Sequence, residues 1–92
     1  MTNYSRGANF ERRLVKHLRS QGMRAHRTAG SHTPIDVIAA AGGIVYAFQC
    51  QLDEYFPPAK VEALKEEAKQ FGAVPQLVWR DDKNKIRFVE IS

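Results

Sequence analysis

At 92 residues the chain has room for one hydrophobic core and one domain, and 43% hydrophobic with 26% charged side chains is the balance of a soluble globular protein rather than a disordered or fibrous one. No apolar run approaches the roughly 18 residues a bilayer-spanning helix needs, the polar N-terminus lacks a signal-peptide core, and the single cysteine, Cys50, closes no internal disulfide, so a cytoplasmic setting without membrane contact is expected. The net charge of +4 is unevenly placed: through Pro34 seven basic side chains accompany one carboxylate, whereas the rest of the chain carries seven basic against nine acidic groups.

The first predicted element is a helix over residues 7–21, capped by Ser5 or Asn9 and ended by Gly22. At about 100° per residue, Phe10, Leu14, Val15 and Leu18 form an apolar stripe roughly 140° wide, and Glu11 falls inside it. An ionised carboxylate turned toward a core is costly unless it meets a cation, a hydrogen-bond network or a metal. Glu11 therefore marks a site. Arg12, Arg13, Lys16 and Arg19 project from the solvent side of the same helix, a basic face that suits a polyanion.

A short strand is predicted over residues 23–28, followed by a loop of small and turn-forming residues, 29–34. Residues 35–40 are apolar and β-branched except for Asp36, and Gly42-Gly43 fits a tight hairpin into a strand over 44–52, so these two strands should pair antiparallel. Pro57-Pro58 opens a second helix whose Val61, Leu64, Ala68 and Phe71 share a face, with Gly72 as its stop. Strands over 76–80 and 85–91 are joined by the polar turn Asp81-Asp82-Lys83-Asn84. The element order argues for an α/β fold in which a mixed five-stranded sheet is flanked by helices.

Asp36 is out of place in a hydrophobic strand. Gln49 and Gln51 are equally out of place: alternation puts both amides on one face with Val45 and Ala47, while Tyr46, Phe48, Cys50 and Leu52 face the other way. Cys50 then reads as a small buried hydrophobe, and His17, His26 and His32 have no metal-ligand spacing.

Four pieces occur in order: Gly7-X-X-Phe10-Glu11-Arg12, Arg27-Thr28-Ala29-Gly30-Ser31, Pro34-Ile35-Asp36-Val37 and Phe48-Gln49-Cys50-Gln51. In order and spacing this set resembles the archaeal-type Holliday junction resolvases of the restriction-endonuclease-like nuclease superfamily. The resemblance is carried by roughly residues 5–52 and departs at one place, where Gln49-Cys50-Gln51 stands for the family's Glu-X-Lys. It implies a metal-dependent endonuclease that binds and resolves four-way DNA junctions as a homodimer. Glu11 and Asp36 would be acidic metal ligands, position 49 a further one, and the Cys50 backbone carbonyl would complete a shell for Mg²⁺, with Mn²⁺ as an alternative. Position 51 would hold the lysine that steadies charge at the cut, and Arg27, Gly30 and Ser31 would meet DNA beside it, Ser31 within the catalytic set.

Phosphodiester hydrolysis needs an activated water and relief of developing charge, which a hard cation on carboxylates supplies. Gln49 keeps an acceptor but loses a charge, and Gln51 lacks the ammonium; loss of one preorganised electrostatic contact typically costs on the order of 100- to 1000-fold in rate. Very low activity is therefore expected of this chain. Arg6, Arg12, Arg13, Arg24 and Arg27 are the expected DNA contacts, mostly to phosphates and hence largely indifferent to base sequence. A catalytically inert branched-DNA-binding module and another small nuclease of the same fold are the competing readings.

Overall fold

The computed structural model describes residues 3–28 and 33–92, with side chains from Ser5 onward; Gly30, Ser31 and His32 lie outside the described residues. Helix α1 spans Asn3–Ser20 and helix α2 spans Pro58–Gln70. The strands are β1 (Arg24–Arg27), β2 (Val37–Ala41), β3 (Ile44–Cys50), β4 (Val74–Arg80) and β5 (Ile86–Glu90), arranged in that order across one five-stranded sheet. Pairing is antiparallel except between β3 and β4, which run parallel, so the sheet is mixed as expected.

Local chemistry explains the connections. Gly42 and Gly43 both take positive φ, at 58° and 82°, which is what a two-residue hairpin turn matched to strand twist requires, and Ala41 pairs directly with Ile44. Parallel β3 and β4 need a crossover, and α2 supplies it.

The two helices cover opposite faces. On one, Phe10, Leu14 and Leu18 of α1 pack on Ala25, Val37, Ala39, Phe48 and Val78. On the other, Leu64 and Ala68 of α2 pack on Ile35, Ala47 and Leu77. Alternation along β3 thus sends Phe48 toward α1 and Ala47 toward α2, the parity read from the sequence. No described helix is long and apolar enough to cross a membrane.

Three expectations are corrected. The first helix begins at Asn3 rather than near residue 7, so Ser5 and Asn9 are helical residues and not caps; Asn9 Oδ1 instead accepts from Arg12 Nη1 at 3.1 Å. Phe71 leaves the inward stripe of α2 because it is the C-cap residue, where the helix closes ahead of Gly72 at φ 63°, and it is 58% exposed. Strand β4 starts at Val74 and runs through Pro75, whose missing N–H falls near the strand's first residue, where a ladder bond is most easily forgone. Among the aromatics, Trp79 packs on Phe56 with ring centroids 6.1 Å apart, whereas Phe88 packs on Phe48 at 6.1 Å. Trp79, Phe88 and exposed Phe71 therefore form neither one core nor one patch.

Candidate active site

Glu11 is set on the inward face of α1 one residue after Phe10, and it is half-buried beside the apolar stripe rather than in open solvent. The cation that the stripe demanded is Arg27, the last residue of β1: its Nε donates to Glu11 Oε1 at 3.1 Å. The pair closes the seam where α1 lies on the edge strand.

Asp36 stands at the entry to β2 and is held by three bonds. Its N–H donates to the Phe48 carbonyl at 2.8 Å, and its own carbonyl accepts from the Thr28 N–H at 3.0 Å. The side chain accepts at Oδ2 from the Cys50 N–H at 2.9 Å. Asp36 thereby grips β3 on both sides of Gln49. Burial pushes its carboxyl up to about 6; the Cys50 N–H opposes that rise, the Glu11 charge adds to it, and Lys60 and Arg27 offset it. Glu11 is thus near enough for its charge to act on Asp36.

Cys50 packs against the α1 core, and burial together with the Asp36 and Glu11 charges raises its thiol well above the ordinary cysteine range. It is half-buried and lines a cavity rather than being the fully buried hydrophobe expected. Gln49 is 6% exposed, and its Oε1 is buried without a hydrogen-bond partner. Gln51 lies one residue past the end of β3, its N–H donating to the Val78 carbonyl at 2.9 Å.

A cavity of about 580 Å³ opens beside these groups, lined by Glu11, Cys50, Gln51, Arg6, Asp53 and Arg80 among others. Position 51 and the helical acid thus meet at one opening, while Gln49 is not among its lining residues. Asp53 and Arg80 were missed from sequence: Arg80 ends β4, and only the parallel register that sets Cys50 against Val78 brings that strand end beside the acids. Its Nε donates to the Leu52 carbonyl at 3.3 Å.

The basic residues divide. Arg6 joins the cavity, whereas Arg12, Arg24 and Arg27 lie along the α1–β1 seam. Arg13 is drawn the other way, donating from Nη1 to Asn84 Oδ1 at 3.0 Å and from Nη2 to the Asn84 carbonyl, so it ties α1 to the β4–β5 turn.

No cluster of three or more His, Cys, Asp or Glu capable of holding a metal occurs among the described residues. The donor chemistry that is present, two neighbouring carboxylates and an unpartnered buried amide oxygen, suits a hard divalent cation that takes few charged ligands and keeps several waters. Such a cation would share Glu11 with the Arg27 guanidinium.

A family model described as archaeal Holliday junction resolvase (Hjc) matches residues 2–92. The crossover junction endodeoxyribonuclease Hjc of Methanocaldococcus jannaschii is 33% identical over 78 residues, which cover 80% of this chain and 58% of that protein. The chain therefore spans less than two thirds of that curated relative. The 1.6 Å structure of Hjc from the hyperthermophile Archaeoglobus fulgidus, a Holliday junction resolvase, superposes with a TM-score of 0.77 at 30% identity, covering 89% of this chain and 73% of that one.

Proposed function

The chain belongs to the archaeal Holliday junction resolvase family, and from that membership we propose that it is a structure-specific DNA endonuclease that binds four-way junctions and cuts them with a divalent cation. One observation carries the reading: Glu11, turned inward from α1, lies close enough for its charge to raise the carboxyl of Asp36, which is fixed on the Cys50 N–H. Two acids within such reach favour a cation between them.

Glu11 and Asp36 are the residues that would hold Mg²⁺, with Mn²⁺ an alternative, and Gln49 Oε1 and the Cys50 carbonyl are the neutral oxygens that would complete the set. Bound there, the ion would supply an activated water and relief of charge on the leaving oxygen. Asp36 is held in place for this by its backbone bonds and by the Cys50 N–H on Oδ2. Glu11 gives one carboxylate oxygen, Oε1, to Arg27 and would have the other to offer the ion, with the Arg27 guanidinium beside it for a phosphate oxygen. Gly30 and Ser31 are proposed to contact DNA beside the cut.

Gln49 and Gln51 hold the rate down. Gln49 leaves the site one negative charge short, and Gln51 places an uncharged amide at the cavity where a cation would steady the developing charge. Those same two amides support the second reading, a branched-DNA-binding module without activity. A gel assay on a labelled four-way junction with Mg²⁺ tests both: the chain carrying Gln49→Glu and Gln51→Lys should cut at least 100-fold faster than the parent. If the double variant is folded, binds junctions and still does not cut, the nuclease reading fails and the binding module remains.

Releasing a junction takes two cuts in opposed strands, so the active form is proposed to be a C2 homodimer with one centre in each copy. For that work on DNA a cytoplasmic location is proposed.

A further inference from the structure

Two cavities outside the acid site lie end to end along the line where α1 rests on β1. One, of about 530 Å³, is lined by Arg12, Lys16, Arg19, His26 and Arg27; the next, of about 450 Å³, continues from Arg19 and His26 to Arg24. Among the described residues no carboxylate lines either one. The seam begins at Arg27, the partner of Glu11, and leads away from it along the open edge of the sheet, since β1 pairs only with β2.

The spacing has a cause in the helix. Arg12, Lys16 and Arg19 stand at i, i+4 and i+7, so they stack on one side of α1 and face the edge strand together. From Arg12 to Arg19 the axis advances about 10 Å at 1.5 Å per residue, the length of about three nucleotides along one strand of duplex DNA. Arg19 is already fixed across the seam: its Nε and Nη2 both donate to the Ala25 carbonyl, at 3.1 and 2.9 Å. A guanidinium held in place loses little freedom when a phosphate arrives.

We propose that this seam is the track for one sugar–phosphate strand of the DNA, running from the cutting centre at Arg27 past Lys16 and Arg19 to Arg24. The proposal rests on the reading of the chain as a DNA-binding resolvase and says where the strand leaves the site. Contacts of this kind are made to phosphates, so they set position and affinity without reading bases.

Fluorescence anisotropy in EDTA, with a labelled four-way junction and a linear duplex of equal length at several salt concentrations, tests it. The variant Lys16→Gln/Arg24→Gln removes two charges from the track without touching the acids, and Lys65→Gln/Lys69→Gln removes two from α2. Thermal melting establishes that both are folded. The track variant should bind the junction about tenfold more weakly near 100 mM salt, with the slope of log affinity against log salt reduced by about two, while the α2 variant should match the parent. An unchanged slope and affinity in the track variant overturns the track; a junction preference in the parent then leaves the resolvase reading standing. If the parent instead binds junction and duplex alike while the track variant weakens both, the track holds and junction specificity fails. No DNA binding by the parent overturns both.

Discussion

Arg27 and Glu11 meet at 3.1 Å with their side chains 19% and 20% exposed, and this one contact both closes the α1–β1 seam and engages one oxygen of the helical acid. Removing the cation alone leaves the half-buried Glu11 carboxyl without its partner. Arg27→Met should therefore destabilise the fold by about 2 kcal/mol at pH 7, below the range for fully buried pairs. Adding Glu11→Gln should restore part of that loss, with a coupling energy of about 1 kcal/mol in urea unfolding. Additive effects of the two substitutions would show that the ion pair contributes nothing to the fold.

Asp36 gives the molecule a pH dependence whose sign is set by its carboxyl, raised from an unfolded value of 3.8 to about 6. A folded-state value above the unfolded one means that the proton is held more tightly in the fold. Its contribution is thus fully present below about pH 4, fades between about pH 4 and 6, and is gone above that. Asp36→Asn keeps an acceptor for the Cys50 N–H and never ionises. The variant should be about 1–2 kcal/mol more stable than the parent at pH 8 and indistinguishable from it near pH 4, read by denaturant midpoints across that range. Equal stability of the two proteins at pH 8 would mean that Asp36 ionises there without penalty. In the Gln49→Glu/Gln51→Lys background, Asp36→Asn should abolish cleavage.

The sequence shows that Glu11 and Asp36 are out of place, because a carboxylate inside a 3.6-residue stripe or a β-branched run conflicts with its own neighbours. It also shows the hairpin, since Gly42-Gly43 has one cheap use. What it does not show is who answers each charge. Arg27 was one of seven basic residues in the first third, and only the packing of α1 on β1 selects it for Glu11; Arg13 was selected by Asn84, 71 residues away. Phe71 matched the inward stripe of α2 by spacing yet sits where the helix stops, and periodicity carries no information about that position.

Gln49 is the residue whose replacement separates stability from binding. Its Oε1 is buried without a partner, and an unsatisfied buried amide typically costs about 1–3 kcal/mol. Gln49→Met, of similar length and without that oxygen, should raise stability by about 1 kcal/mol while leaving junction binding in EDTA unchanged. Gln49→Glu should do the reverse in the absence of divalent ions, adding a third acid to the surroundings of Asp36. Its melting temperature should then rise on adding Mg²⁺ by more than the parent's, because an ion that binds only the folded state stabilises it in proportion to occupancy. A Mg²⁺-independent melting temperature in Gln49→Glu would remove position 49 from the ion's surroundings.

The dimer is the last expectation open to a direct test. Phe88 is 40% exposed on β5, which is an edge strand, and it already leans on Phe48 and His17 with ring centroids 6.1 Å away in both cases. A large apolar side chain on an unpaired strand edge is a surface that a second copy of the chain can cover. Sedimentation of the parent at tens of micromolar should give twice the monomer mass, and Phe88→Glu should give the monomer mass, with the fold checked by circular dichroism. If two cuts need two centres, the Phe88→Glu monomer in the Gln49→Glu/Gln51→Lys background should nick junctions in one strand without releasing linear products. Paired cuts by a sedimenting monomer would refute the two-fold arrangement, and a Phe88→Glu protein that still sediments as a dimer would move the contact away from the β5 edge.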